Sequence, residues 1–523
     1  MSDFKSLPKF AITTPLYYVN DVPHIGSAYP TMAADAAARF ARMRGRAVRF
    51  VTGTDEHGLK IQRSAAARGK QPIEHCDEIV QQFQGLWQKL EIQYDSFIRT
   101  TDPKHEAIVR EFFQRLWDQG DIYLNQQQGW YCVSCEEFKE ERELLEGNRC
   151  PIHTNKEVEW RDEANYFFRL SKYQEKLEAL YRDRPDFVQP EARRNEVLGF
   201  VSQGLSDFSI SRVNFDWGIP FPFDANHIIY VWVDALLGYV TALLEPDQEP
   251  TLANAIAKWY PIDIHLIGKD ILRFHAVYWQ AMLMSAQLPP SGRVFGHGFL
   301  TKDGQKMGKT TGNTIDPYSL VEKYGADSIR YYFLKEIELG KDGDFNEARF
   351  IDVVNADLAN DLGNLLNRTL GMVHRYCQGF VPAIAPIGEE HPLKAYGIAL
   401  AELVSRDYEN LAFAEACRAI NHLVKISNKY IDEQAPWQQH KLGNKQTVAM
   451  VLYSALESVR LAAYLLAPIT PNLSSAVYRQ LGWDTDFNCA PYPEFTEHSR
   501  WGILQCGQKL PAAEPVFQKL EMS

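Results

Sequence analysis

The chain has 523 residues, too many for one ordinary domain and enough for roughly two to four. Its 45% hydrophobic and 23% charged residues are those of an ordinary globular protein. A formal charge of −12 excludes a protein that coats nucleic acid through bulk positive charge, though a locally basic groove stays open.

Met1-Ser2-Asp3-Phe4-Lys5 leads straight into a strand-like run, without the charged and apolar regions of an export signal. The most membrane-like run, Ile228 to Leu244, has only 17 residues and carries Asp234 near its centre. It is expected to be a buried element rather than a span. Of eight cysteines, five are scattered (Cys76, Cys377, Cys417, Cys489, Cys506), which fits a reducing cytoplasm, and three cluster (Cys132, Cys135, Cys150).

Taken in order, Phe10-Ala11-Ile12 opens a strand that passes through Thr13 to Ser27 into a helical pattern. Pro30 is expected in that helix's first turn, and an Ala-rich run from Thr31 to Arg44 continues it. A loop with His24 and Gly26 before a helix N-terminus can hold phosphate on unpaired N–H groups, or be an ordinary turn with a satisfied histidine. Ala47 to Thr52 then alternates as a strand, making a parallel pair with a right-handed crossover. No G-x-G-x-x-G is present. The second strand ends in Thr54-Asp55-Glu56-His57-Gly58, where ligands bind in open α/β sheets. Asp55 there either meets a cation or closes an Asx turn.

Residues 72 to 119 read as helices. Next come Cys132-x2-Cys135, a 14-residue gap and Cys150-x2-His153. This is zinc-knuckle spacing, and four protein ligands make the site structural. The block to about residue 222 reads as an insertion. Sheet-like signals return at Asn226 to Ala235, at Asp263 to Ile267 before Gly268-Lys269-Asp270, and at Arg293 to Phe299. They read as the second half of a doubly wound sheet, and Trp232, Tyr239 and His297 in them are equally compatible with core. Lys306-Met307-Gly308-Lys309-Thr310 tempts toward a P-loop, but Asp303 occupies the glycine position that motif needs. Its two lysines can still neutralise a triphosphate, or be solvated.

Beyond Phe345 the pattern is helical, near 350–375, 392–410, 412–431, 445–467 and 472–481. Residues 351–523 hold 14 Lys/Arg against 18 Asp/Glu, so this part is not basic. Asn360, Asn364 and Arg368 recur at i, i+4 and i+8 on one helix face, unusual for a poor helix former. They form a satisfied polar face or contact unstacked bases; Trp437 packs in the core or stacks on a base.

Together these residues resemble the methionyl-tRNA synthetases, a family of class I aminoacyl-tRNA synthetases, from end to end. His24-Ile25-Gly26-Ser27 resembles the HIGH signature and Lys306 to Thr310 the KMSKS loop. Leu16 and Tyr18, Thr54 to Gly58, Trp232-Val233-Asp234-Ala235, Gly296-His297-Gly298, the knuckle and Glu433-Gln434-Ala435-Pro436-Trp437 carry the methionine assignment.

The resemblance implies a Rossmann-like α/β fold in two halves (1–116 and 223–298), split by a zinc-binding connective insertion (117–222). A KMSKS-like stem-contact region (299–349) and an α-helical anticodon-binding domain (350–523) follow. It implies that Asp55 pairs with the methionine ammonium, while Leu16, Tyr18, Trp232, Ala235, Tyr239 and His297 surround the thioether. It places His24, Gly26, Ser27, Gly268, Lys269, Asp270 and Lys309 on ATP, and makes His24, Lys306 and Lys309 catalytic. Asn360, Asn364, Arg368 and Trp437 match anticodon-reading positions. One structural zinc (Cys132, Cys135, Cys150, His153) and Mg²⁺ with ATP are the implied cofactors. Initiator and elongator methionine tRNAs are the implied partners, with no membrane and a monomeric, cytoplasmic enzyme.

Two departures stand out. Ser27 replaces the final histidine of HIGH, and Gly308 and Thr310 replace the serines of KMSKS. Both lysines remain, so the departures bear on rate, not on reaction type. A non-catalytic RNA-binding protein on the same scaffold is the alternative, and the retained Asp55, Lys306 and Lys309 speak against it.

Overall fold

Six parallel strands form the central sheet: β1 (Phe10–Tyr18), β2 (Val48–Asp55), β3 (Ser96–Arg99), β4 (Val188–Gln189), β5 (Ile264–Gly268) and β6 (Arg293–His297). The computed structural model describes residues 8–139, 141–152, 156–213, 215–307 and 314–522, with Lys306 described through its backbone alone. His153, Gly308, Lys309 and Thr310 therefore lie outside the described residues. The strands run β3-β2-β1-β5-β6-β4, so their order reverses between β1 and β5. In such sheets the crevice beyond the carboxyl ends at the reversal is the ligand site.

Local sequence explains how β1 reaches that crevice. Its first five residues are buried, as a strand covered on both faces requires. Pro15 has no N–H for the ladder, and the register with β2 shifts between Thr13 and Leu16. Beyond the shift, Leu16 lies opposite Gly53 and Tyr18 opposite Asp55. Helix α1 (Ile25–Met43) begins six residues earlier than the Ala-rich run indicated, because His24 caps it. Pro30 consequently lies inside the helix rather than in its first turn.

The stretch 72–119 contains two helices, Pro72–Lys89 and Pro103–Asp118, with the unforeseen strand β3 between them. The insertion is a second, antiparallel sheet in which Ile122–Cys132 pairs with Glu159–Phe168. Edge strand β4 of the central sheet also comes from within the 117–222 stretch. The segment read as sheet at 226–235 is mostly helix α2 (Val231–Thr241) after the two-residue strand Ile228–Ile229. Ten of the eleven α2 residues are buried, so no polar face marks the helical period.

The C-terminal part is helical, as expected: Pro392–Glu409, Phe413–Gln434, Lys445–Leu466 and Pro471–Gln480 follow the run Glu347–Cys377. Lys445–Leu466, not the 228–244 run, has the length and mean hydropathy (1.4) of a span, yet 89% of its apolar window is buried inside the protein. It is the core helix of this domain.

A buried ionic cluster joins the two parts. Asp35 Oδ2 on α1 accepts from Arg39 Nε at 2.7 Å and lies 2.6 Å from Arg330 Nη2. Arg330 also donates to the carbonyls of Pro468 (2.8 Å) and Ile469 (2.9 Å), and Arg39 to that of Phe487 (3.0 Å).

Candidate active site

Beyond the carboxyl ends of β1 and β2 lies a small cavity lined by Leu16, Asp55, Trp232, Ala235, Leu236, Tyr239, Ile271 and His275. Its volume of about 10 Å³ is roughly one water's worth, so an occupant larger than water must displace side chains. Tyr18 adjoins through Trp232, the rings meeting edge to face at 5.8 Å. Trp232 also stacks on Phe274 at 4.4 Å. Gly238 lets α2 approach: a Cβ there would lie 2.6 Å from Leu16 Cδ1.

Leu236, Ile271 and His275 were not anticipated. His275 lies in a π-helical turn, Phe274–Tyr278, and burial lowers its imidazole to about 4, so it is neutral. Its Nδ1–H donates to the Ile271 carbonyl at 3.0 Å and its Nε2 accepts from the Tyr239 hydroxyl at 2.9 Å. This fixes the phenol at the cavity wall. His297 does not line the cavity. It stands on β6 against Tyr29, ring centroids 6.0 Å apart, and beside Gly268.

The three ionisable residues of the Asp55-Glu56-His57 loop have opposite circumstances. Glu56 is fully buried and saturated, accepting from Arg99 Nε (2.7 Å) and Nη2 (2.8 Å), Thr54 Oγ1 (2.6 Å) and Thr101 Oγ1 (2.5 Å). His57 donates from Nδ1 to Asp234 Oδ2 at 2.6 Å, and His105 from Nε2 to Asp234 Oδ1 at 2.7 Å. Burial alone would raise Asp234, but the two imidazoles hold it at about 2. Asp55 is equally buried and its Oδ1 has no hydrogen-bond partner. Burial first, then the charges of Asp234, Glu136 and Glu56, push its carboxyl well above the usual range, opposed only in part by the Lys60 ammonium. Among the described residues no ion pair reaches it. An ammonium group delivered into the cavity would supply what the fold withholds.

The other wall is the N-terminus of α1. The Gly26 N–H donates to His24 Nδ1 at 3.0 Å, and the His24 N–H to Ser27 Oγ at 3.2 Å. His24 and Ser27 thus form a reciprocal capping box. A Cβ on Gly26 would come within 2.8 Å of the His24 ring. Across the crevice, Lys269 Nζ is bound by Asp342 at 2.6 Å, and Asp270 lies against Gly268. Leu300–Lys302 and Gln305–Lys306 form a hairpin whose turn residues, Asp303 (φ 52°) and Gly304 (φ 73°), adopt left-handed backbone. The backbone of Lys306 ends this hairpin.

Cys132, Cys135 and Cys150 place their Sγ atoms within 4.8 Å of one another, with Cys135 and Cys150 3.5 Å apart. Three thiolates around a tetrahedral zinc are about 3.8 Å apart, so the donor set fits. The knuckle touches the cavity directly: the Trp232 indole N–H donates to the Cys135 carbonyl at 3.1 Å.

At the far end, Asn364 and Arg368 lie on Asn364–Cys377, but Asn360 falls in the π-helical stretch Asn355–Gly363, so the expected α-helical spacing is interrupted there. Asn428 Nδ2 donates to the Asp361 carbonyl inside that wide turn at 3.2 Å. Arg368 reaches Asp432 at 2.6 Å, near the end of the helix that leads to Trp437. Asn360 and Asn364 are exposed, and Trp437 is half-buried.

Comparison with known proteins agrees with this geometry. Residues 10–158 and 141–370 match the family model for class I tRNA synthetases (M), and residues 384–523 that for the anticodon binding domain of methionyl tRNA ligase. The Methionine--tRNA ligase of Nostoc sp. is 65% identical over 99% of this chain and 98% of its own length. The chloroplastic/mitochondrial ligase of Arabidopsis thaliana is 52% identical over 98% and 83%. Methionyl-tRNA synthetase of Mycobacterium tuberculosis in complex with methionyl-adenylate superimposes with a TM-score of 0.92 at 41% identity, covering 98% of this chain and all of that one.

Proposed function

Because this chain belongs to the methionine family of class I tRNA synthetases, we propose that the cavity beside Asp55 is where the amino-acid substrate sits. The protein is a ligase: it activates L-methionine with ATP to methionyl-adenylate, releasing pyrophosphate, and charges tRNA with the methionine. The observation that carries the pocket assignment is the buried Asp55 carboxyl, its Oδ1 without a hydrogen-bond partner, in a cavity it shares with Leu16, Trp232, Ala235 and Leu236. Asp55 binds the ammonium, and Leu16, Tyr18, Trp232, Ala235 and Tyr239 enclose the thioether after side-chain displacement. His297 contacts the substrate from the β6 side.

The methionine carboxylate attacks the α-phosphate while His24, Gly26, Ser27, Gly268, Lys269 and Asp270 hold the nucleotide. Lys306 and Lys309 neutralise charge developing on the leaving pyrophosphate, so catalysis is positioning and electrostatics rather than acid–base chemistry. Lys269 must exchange Asp342 for the nucleotide in doing so. Mg²⁺ supplies further charge neutralisation on the phosphates when bound with ATP. The ribose 2′-hydroxyl of the terminal tRNA adenosine then attacks the adenylate's carbonyl carbon, forming the ester as the acyl–phosphate bond breaks and AMP leaves.

Residues 1–116 and 223–298 are the two catalytic halves, 117–222 the insertion, 299–349 the stem-contact region and 350–523 the anticodon domain. Cys132, Cys135, Cys150 and His153 hold one structural zinc. Asn360, Asn364, Arg368 and Trp437 read the anticodon of initiator and elongator methionine tRNAs, and the enzyme works as a cytoplasmic monomer.

ATP–pyrophosphate exchange measured across the twenty amino acids tests the pocket. Methionine should dominate; exchange led by leucine or valine would overturn the assignment. Trp437→Ala should lower tRNA charging while leaving pyrophosphate exchange near wild type. Equal losses in both would make Trp437 structural.

A further inference from the structure

The helix Leu59–Ala67 starts directly after the Asp55-Glu56-His57-Gly58 loop, yet it has no cap of its own. Gly58, its N-cap, offers no side chain, and no acidic residue stands in the first turn. The missing acceptor arrives from 76 residues away. Glu136, the residue after Cys135, places Oε1 2.7 Å from the Lys60 backbone N–H. A carboxylate there does what an N-cap aspartate does, accepting an orphan donor and opposing the helix dipole.

Several observations show that Glu136 is built into this position. It is 1% exposed and has left-handed backbone (φ 55°), uncommon for a residue with a side chain. Gly58 (φ 101°) is where the carboxylate passes: a Cβ there would collide with both of its oxygens. The neighbouring Cys135 carbonyl takes the Trp232 indole N–H, so one knuckle turn grips both sides of the cavity.

We infer that Glu136 is a positioning residue for methionine, capping helix Leu59–Ala67 in trans so that the metal-holding knuckle sets the place of Asp55. It touches neither substrate nor reacting atoms. The inference rests on the reading of Asp55 as the ammonium partner.

The test is methionine binding to the full chain without ATP, followed by tryptophan fluorescence, with methionine and ATP KM values from pyrophosphate exchange and zinc content of each variant. Glu136→Ala should weaken methionine binding about two- to thirtyfold, the span of a lost cap, with ATP KM within about twofold of wild type. Glu136→Gln keeps an acceptor at the Oε1 position but removes the charge that opposes the helix dipole and faces Lys60, Arg161 and Arg212, so it should bind methionine less tightly than wild type yet better than Glu136→Ala. Glu136→Asp keeps the charge but is one methylene short, so it should fall below Gln. That order decides the matter even if the alanine variant does not fold. Asp binding as tightly as Gln, all variants binding as wild type, or parallel rises in both KM values would overturn the inference. Asp55→Asn is measured alongside: unchanged binding there refutes the pocket reading itself, whereas lost binding there with an unaffected Glu136→Ala refutes the cap alone.

Discussion

The two walls of the crevice are built on different terms. On the Asp55 side nearly every buried polar group is matched: Glu56 by Arg99 and two threonines, His57 and His105 by Asp234, His275 by Tyr239. Asp55 Oδ1, the Tyr18 hydroxyl and Glu136 Oε2 are left over. On the α1 side the groups are already engaged with one another, His24 with Gly26 and Ser27, and Lys269 with Asp342. On the proposed reading, the first wall carries an acidic deficit at Asp55 that the substrate ammonium would fill. On the same reading, the second would exchange existing partners for a nucleotide. Selection by charge would then belong to the first wall, and exchange of side-chain partners to the second.

Four measurements would break or sharpen that contrast. Asp55→Asn should have the largest effect, lowering kcat/KM for methionine by about two to three orders of magnitude, the cost of leaving a buried charge unpaired. ATP KM should barely move, and a parallel rise would dissolve the distinction between the walls. Lys309→Ala should reduce kcat of adenylate formation about a hundredfold or more with little change in methionine affinity in the absence of ATP.

A smaller effect follows from protonation. Burial raises the Asp55 carboxyl in the free protein, so below that raised pKa the free group holds a proton. A bound ammonium favours the anion, so methionine binding releases a proton, and affinity rises with pH until free Asp55 is ionised. Calorimetry in two buffers of different ionisation enthalpy measures the proton directly; identical apparent enthalpies would mean Asp55 is already ionised when free. The smallest effect belongs to Ser27→Ala. It deletes half of the capping box, costing about 1 kcal/mol of local order, and should raise ATP KM severalfold with methionine KM unchanged.

Much of this was legible in the sequence because it lies in short contiguous motifs. Thr54 to Gly58, His24 to Ser27 and the cysteine spacing each announce themselves within a few residues. The doubly wound sheet and the C-terminal helices were readable from periodicity. What escaped has a common physical cause. Helix α2 is buried all round, so its apolar run carries no 3.6-residue period and reads as a strand. Leu236 reaches the cavity through that helix, Ile271 through the 3₁₀ turn Lys269–Ile271 and His275 through a π-turn, none of which has a sequence signature. Glu136 is one acidic residue among several beside a cysteine pair. Only the fold shows that its acceptor role is exercised on a helix 76 positions earlier.

The Asp35–Arg39–Arg330 cluster bears on modularity. Family models describe this chain as two pieces meeting between residues 370 and 384. Yet the helix that opens with His24 is fastened, along its buried length, to carbonyls of Pro468, Ile469 and Phe487 through fully buried guanidiniums. Severing the chain at that junction would remove three carbonyl acceptors from two buried arginines while leaving their pairing with Asp35 intact, and each such hydrogen bond to a charged group contributes about 1.5–3 kcal/mol. These contacts couple the two pieces, so a fragment ending at residue 370 should melt below the intact protein, a difference calorimetry of the two chains measures.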